Sequence, residues 1–192
     1  MKRVLVASFL LLFISIAGYS QFGVTGGINL SSLRSDADNN ANIRLGAHIG
    51  GFYEVRLFNN FYLQPQLLFS HDPTSVKYPR AEETTNGYYI NLPVTFSYKI
   101  PLNEKSKIGF DFGVYYSYGL FGNKKIRYTS EYNYSEPLFQ DHHAEIGLIG
   151  GVRYEQDSYI FSTRIRYGLI SRTVIDNKVL LLMLSVGYKF GK

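Results

Sequence analysis

Eight segments of this 192-residue chain alternate apolar and polar residues with a period of two. The segments are 22–31, 43–57, 61–70, 88–99, 107–121, 143–155, 159–169 and 179–190. This period is that of a β-strand, because successive side chains of a strand point to opposite faces of the sheet. No run of helical period competes with these segments. The pattern therefore predicts an all-β protein of eight strands.

The last segment indicates where such strands lie. A membrane-spanning helix needs about 20 apolar residues, whereas a tilted spanning strand needs about 9–11. The stretch 179–190 fits the strand and is too short for the helix. One of its faces is wholly apolar: Leu180, Leu182, Leu184, Val186, Tyr188 and Phe190. We expect this face to contact lipid.

The connections between the segments alternate in length. Short connections at 59–60, 101–106 and 156–158 separate long polar ones at 32–42, 71–87 and 122–141, and 170–177 is intermediate. Outer-membrane barrels have short periplasmic turns and longer outer loops. Strand backbone in hydrocarbon must be fully paired, so the sheet has to close on itself. The sequence predicts an eight-stranded, antiparallel, up-and-down transmembrane β-barrel.

Three features decide which face of the barrel is outside. Glycines such as Gly27, Gly50 and Gly113 cluster on the polar face, and the interior of an eight-stranded barrel has room for small groups only. The apolar face is bulky at nearly every position, and its aromatic residues favour strand ends, where the lipid–water interfaces lie. A soluble calyx would reverse the faces, and it would fractionate with the periplasm.

The N-terminus resembles an export signal. Lys2 and Arg3 precede a short apolar run, and Gly18 and Ser20 are the small residues before a cleavage site. We expect residues 1–20 to be a signal peptide and residues 21–192 to be a single barrel domain. The chain has no Cys, so it is not a disulfide scaffold. Its formal charge of +5 is modest and argues against a nucleic-acid partner.

The polar face carries a candidate charge network inside the barrel. Its predicted members are Arg44, Glu54, Arg56, Lys99, Asp111, Glu145, Arg153, Arg164 and Arg166, with Glu155 and Lys189 also inward. Charges in a narrow lumen must be paired or hydrated. One reading is a closed plug of ion pairs. The other is a narrow pore that favours anions, because the inward cations outnumber the inward acids by three.

Other chemistries have weaker support. Asp141, His142, His143 and Glu145, joined by His71 and Asp72, could bind a metal but lack zinc-type spacing, and a polar loop entering a strand explains them as well. The four His show no fixed pattern with Ser, so no nucleophile and base are apparent. The sequence predicts no enzyme, no metal and no cofactor.

The long connections hold candidate contact residues. Lys124, Lys125 and Arg127 could meet the phosphates of lipopolysaccharide. Tyr128, Tyr132 and Tyr134 could contact a protein or a glycan. The alternative is a solvated loop that only ends strands.

Several stretches resemble a known family. "FYLQPQLLFS", "YYINLPVTFSYKI", "AEIGLIGGVRYE" and "LSVGYKF" are similar to the small outer-membrane β-barrel proteins of Bacteroidetes-type bacteria, a "porin family" group that includes PorT-like proteins. The terminal stretch resembles the C-terminal signal that the barrel assembly machinery reads, with Tyr188 and Phe190 as its aromatics. The resemblance implies a location in the bacterial outer membrane. It does not imply one shared activity.

The leading hypothesis is a non-enzymatic structural or interaction protein with a plugged lumen and long extracellular loops. The alternatives are a narrow small-solute channel and, on the resemblance alone, an accessory barrel of a secretion apparatus.

Overall fold

The computed structural model describes residues 20–33, 43–78, 81–128, 133–138, 144–170 and 179–190. Most of the predicted signal peptide lies outside the described residues, as do residues 34–42 and 171–178 of two predicted connections. These described residues form ten strands: β1 (Ser20–Leu33), β2 (Arg44–Phe58), β3 (Phe61–His71), β4 (Thr74–Tyr78), β5 (Ala81–Pro101), β6 (Ser106–Tyr128), β7 (Asn133–Pro137), β8 (Ala144–Gln156), β9 (Tyr159–Ile170) and β10 (Val179–Phe190). Within the described residues, no helix is long and apolar enough to cross a membrane.

Eight of these strands form a closed antiparallel ring. The order around the ring is β1, β2, β3, β5, β6, β8, β9 and β10, and β10 pairs with β1 to complete it. The first and last strands close in register from Phe22 opposite Phe190 to Leu33 opposite Val179. The predicted eight-stranded up-and-down barrel is confirmed.

The burial pattern assigns the two faces of the ring as predicted. Bulky apolar side chains on alternate residues are exposed, such as Phe112, Leu67 and Val186. The interior is polar, with Asn29, Gln64 and many charged groups buried. A soluble protein would have these faces reversed, so the exposed apolar band is the surface that meets lipid.

Tight turns close one end of the barrel. The connections at 59–60, 102–105 and 157–158 are short, as predicted. Asn59 and Asp157 have positive φ angles of 45° and 53°, a conformation that Asn and Asp tolerate better than most residues. This end therefore corresponds to the periplasmic side.

At the opposite end, two of the predicted long loops form strands instead. Residues 71–87 and 122–141 were predicted to be loops, but β4, the first part of β5, the last part of β6 and β7 occupy much of them. Pairing of β5 with β6 runs from Ala81 opposite Tyr128 down to Pro101 opposite Lys107, with one register shift between Tyr88 and Tyr89. We call the four-stranded sheet of β4, residues 81–87, residues 122–128 and β7 the outer extension.

Aromatic side chains mark both edges of the lipid-facing band. Near the turns, Phe22 stacks on Phe190, and Tyr159 and Tyr188 form an edge contact. At the outer edge, Tyr88 stacks on Phe121 with ring centroids 4.7 Å apart. Two aromatic belts of this kind are the signature of the two lipid–water interfaces.

Candidate functional site: the charged lumen

Arg153 lies at the centre of the buried polar interior. It projects from β8, and its side chain is 0% exposed. Its guanidinium donates hydrogen bonds to Asp111 on β6, to Glu54 on β2 and to Gln64 on β3, at 2.7–3.1 Å. Hydrogen bonds to charged and polar partners of this kind offset the cost of burying a guanidinium. One side chain thus joins strands on opposite walls of the barrel.

Arg164 on β9 reinforces the same layer. Its Nε donates to Asp111 at 2.9 Å, and its two terminal nitrogens donate to Gln66 and Gln64, each at 3.1 Å. Asp111 also accepts a hydrogen bond from Ser97 at 2.6 Å. We call this set, together with Arg153, the central layer.

The periplasmic side of the lumen holds a second cluster. Lys99 Nζ lies 2.6 Å from both Glu54 and Glu155, and Lys189 Nζ lies 2.8 Å from Glu155. The ammonium of Lys99 also lies over the ring of Tyr62, 4.2 Å from its centroid. Glu54 and Glu155 each lie within 3.6 Å of both lysines and of Arg153, and these cations offset the cost of burying the two acids.

The outer side of the lumen is organised around Asp72. Its carboxylate accepts hydrogen bonds from Asn29 on β1 at 2.7 Å and from Ser70 on β3 at 3.0 Å. Since the amide nitrogen of Asn29 is used there, its oxygen is left for His48 Nδ1, at 2.6 Å. His48 Nε2 then accepts from the Ser185 hydroxyl at 2.9 Å. This chain of polar contacts crosses four strands.

Arg166 and Glu145 complete the outer side. The guanidinium of Arg166 lies 3.6 Å from Asp72 and 3.8 Å from Glu145, and it stacks on Tyr115 at 4.1 Å. Tyr115 donates a short hydrogen bond to Glu145. These ion pairs are longer than those of the central layer, so the outer side is held less tightly.

The buried charges balance within the described residues. They are five cations, Lys99, Arg153, Arg164, Arg166 and Lys189, and five acids, Glu54, Asp72, Asp111, Glu145 and Glu155. The sequence-based excess of three inward cations is therefore wrong. Its error comes from two arginines counted as inward and one acid assigned to a loop.

Arg44 and Arg56 lie outside the lumen network. Arg44 begins β2 at the outer rim, where its side chain is 42% exposed and lies 3.6 Å from Glu82. Arg56 is exposed at the periplasmic end, where its Nε donates to the carbonyl of Asn59. A register shift between Arg56 and Phe58 ends the regular alternation there. The period of two predicts the side of the strand on which a residue lies. It does not predict whether that residue lies within the enclosed part of the lumen or at its rim.

The sequence missed three groups of the interior. The sequence predicts a loop at Asp72, whereas its side chain continues the inward row of β3. Gln64 and Gln66 lie on the polar face of the segment 61–70, but that pattern does not predict their arginine partners. His48 and Ser185 showed no sequence relation, because they are 137 residues apart in the chain. The polar face of each strand indicated that these residues lie inside. Which of them become hydrogen-bond partners depends on how the ring closes.

The structure does not bring together the described residues of the predicted metal site. Residues 141–143 lie outside the described part of the chain. His71 stacks on Tyr88 at the outer surface, whereas Asp72 points into the lumen, so these two do not converge. Among the described residues, no three His, Asp or Glu side chains are grouped to hold a metal ion.

The predicted contact residues are distributed over the outer extension. Lys124 lies 3.1 Å from Glu83 and 3.9 Å from Glu136, whereas Lys125 and Arg127 are exposed. Tyr134 on β7 is 58% exposed. The side chain of Tyr128 and the whole of Tyr132 lie outside the described residues. Tyr188 and Phe190 are in the periplasmic aromatic belt and contact each other edge to face.

Comparison with known proteins agrees with this architecture. Ail, the attachment invasion locus protein of Yersinia pestis, has a TM-score of 0.53 at 14% identity, over 90% of this chain and 99% of Ail. Neisserial surface protein A has a TM-score of 0.51 at 16% identity, over 88% of this chain and 97% of its own. No curated protein matches the sequence. The model of the outer membrane protein beta-barrel domain family matches residues 8–192. This chain therefore belongs to that family, as a barrel of the bacterial outer membrane.

Proposed function

We propose that this barrel is a non-conducting, non-enzymatic interaction protein, with a plugged lumen and with the outer extension as its contact surface. The central layer supports this proposal most directly. Arg153 reaches acids on two other strands, and the side chains that surround it, Gln64 and Asp111, are themselves buried. Water and ions need an open path through the lumen, and the burial and pairing of these side chains support a path that is closed at this level.

The proposal predicts a silent bilayer. Purified, inserted protein should show no discrete current steps, whereas the Arg164→Ala/Arg166→Ala double variant should leak, because it removes two buried side chains of the plug. Arg44→Ala/Arg56→Ala is the matched control, since it removes the same charge outside the plug. Planar-bilayer conductance of the three proteins is the measurement. Steps in the unaltered protein would favour the small-solute channel, and equal silence in both variants would contradict the plug.

The balanced lumen also bears on the channel alternative. Anion preference was expected from an excess of inward cations, and the described residues bury equal numbers of both signs. A channel through this interior would therefore need a different basis for selectivity than net charge.

The contact between Ser185 and His48 is best explained as structural. A hydroxyl 2.9 Å from an imidazole nitrogen has the spacing of a nucleophile and its base. Catalysis also needs space for a reacting group beside both. Ser185 and His48 are both buried in the lumen, and Asn29 behind them is fully buried. The chain of contacts that ends at Asp72 fixes the outer end of β3 to β1.

We further propose that the barrel assembly machinery reads the C-terminal strand. Phe190→Ala should reduce the amount of folded barrel in the outer membrane several-fold. Phe22→Ala is the matched control, because the two rings stack on each other at 5.8 Å and either variant loses that contact. Folded protein is measured by heat-modifiable gel mobility of outer-membrane fractions, and both variants should refold equally in vitro. If both variants lose the same amount of folded barrel in cells, the loss comes from the broken ring contact and the proposed recognition is wrong.

The resemblance to PorT-like proteins adds one more proposal, that the barrel is an accessory of a secretion apparatus. Co-isolation of the barrel with a defined secretion complex after crosslinking in cells is the test, with the Phe22→Ala barrel as a structural control.

A further inference from the structure

The outer extension has two different faces. Residues that pair directly across antiparallel strands share a face of the sheet. Glu82 is opposite Arg127, Thr84 is opposite Lys125 and Asn86 is opposite Asn123. These six residues therefore lie on one side, which we call the membrane-side face. Lys124 pairs with Thr85 and lies on the other side.

The membrane-side face continues the lipid-facing surface of the barrel. Along β5, alternate residues from Tyr98 through Ile90 are exposed to lipid, and the same alternation leads to Tyr88 and then Asn86. On β6, a register shift beside Tyr88 and Tyr89 moves Phe121 onto this face. The stacked rings of Tyr88 and Phe121 are thus the last lipid-facing pair below it.

Charge divides the two faces further. Lys124 lies on the face opposite the membrane-side face, and it is paired there with Glu83 and Glu136. Lys125 and Arg127 are exposed, and no carboxylate among the described residues lies within ion-pair distance of either. The one acid of the membrane-side face, Glu82, accepts a hydrogen bond from Ser75 and lies 3.6 Å from Arg44. Among the described residues, this face therefore presents two cations, Lys125 and Arg127, that have no carboxylate within ion-pair distance.

The height of these cations indicates their surroundings. Lys125 is four residues beyond Phe121, which corresponds to about 13 Å along the strand at ~3.3 Å per residue. A tilt of about 40° reduces this to about 10 Å above the aromatic belt. The headgroup layer of a bilayer is about 5–8 Å thick on each side. A lysine can extend its ammonium back toward that layer from this height.

We propose that Lys125 and Arg127 bind phosphate groups of outer-leaflet lipid. The inference rests on the proposed role of the outer extension as a contact surface, and it names one partner of that surface. Anionic lipid phosphate is complementary to two cations that stand about 10 Å and about 15 Å above the aromatic belt and can extend their long side chains back toward the headgroups. The membrane-side face then holds the extension beside the membrane, and the opposite face, with Tyr134, stays available to other partners.

The test compares two adjacent lysines. The full-length barrel in detergent is titrated with bisphosphorylated lipid A, and bound lipid is measured by native mass spectrometry. Lys125→Ala and Arg127→Ala should each weaken binding about fivefold, the effect expected for one cation near a charged membrane surface. Lys124→Ala is the matched control, because it removes the same charge one residue away on the other face. It should leave the affinity within twofold.

Two further arms sharpen the result. Lipid A without its phosphates should bind the unaltered protein as weakly as phosphorylated lipid A binds the Lys125→Ala/Arg127→Ala variant. Heat-modifiable gel mobility checks that each variant is folded. Equal losses from Lys124→Ala and Lys125→Ala, or equal binding of the two lipids, would overturn the assignment. A heparin-like polysaccharide bound more tightly than lipid A would assign the face to a different anion and also overturn it. If the lipid A titration contradicts the assignment but the unaltered protein shows no current in the planar bilayer, the proposed plug still stands.

Discussion

Replacing Arg153 by Ala should lower the free energy of unfolding by about 3–5 kcal/mol, the cost typical of removing one partner from a buried ion pair. Arg153 is 0% exposed and donates to Asp111, Glu54 and Gln64. Arg164 still pairs with Asp111 in the variant, but Glu54 keeps only its lysine partners. Urea unfolding of the barrel in lipid vesicles, followed by tyrosine fluorescence, measures the loss.

Arg56→Ala is the control for this prediction. It removes the same side chain from an exposed position and should change stability by no more than about 0.5 kcal/mol. Combining Arg153→Met with Glu54→Gln should recover part of the loss, because it removes one buried charge of each sign and keeps the lumen balanced. Arg153→Ala with the stability of Arg56→Ala would show that the central layer does not hold the barrel together.

Gly113→Ala is the second large effect, with an expected loss of about 1–3 kcal/mol from overpacking. Gly113 faces the lumen on β6, and a Cβ there would meet the neighbouring backbone of β5, only 2.7 Å from the Cα of Thr95. Backbone on a paired strand cannot move aside as a flexible side chain does. The two strands must separate locally, which weakens the ladder between them. The same unfolding experiment measures the loss.

Gly150→Ala provides the contrast, because Gly150 faces lipid on the adjacent strand β8. A Cβ there has ordinary contacts, 3.5 Å from the carbonyl oxygen of Asp111. The variant should be neutral or more stable by up to about 1 kcal/mol, since Ala restricts the unfolded chain more than Gly does. A similar loss in both variants would mean that strand preference, and not the space inside the barrel, decides these positions.

The strands and their faces were predictable because lipid and lumen impose opposite demands on alternate residues. The stretch 179–190 shows this best, with six apolar residues in one row opposite a row that ends at Lys189. Glycines at positions such as Gly113 identified the inner face for the same reason. Both predictions need only the period of a strand and the width of a small barrel.

The outer extension and the pairing inside the lumen were not predictable in this way. Residues 82–87 and 123–127 have no apolar row, because neither face of the extension meets hydrocarbon, so their composition resembles that of a loop. The link between His48 and Ser185 depends on which strands become neighbours when the ring closes. Asp72 was hidden by its position beside Pro73, which reads as a break in the strand.

The polar interior also bears on how the chain folds. Arg153 and Glu54 are 99 residues apart in sequence, Arg164 and Gln66 are 98 apart, and His48 and Ser185 are 137 apart. Contacts between residues this far apart in sequence form late, because loop-closure entropy opposes them until the surrounding strands are in place. An open sheet in the membrane would carry these charges without their partners, at a high energetic cost. The lumen thus makes barrel closure an all-or-none event, in which half-assembled sheets are the least stable species.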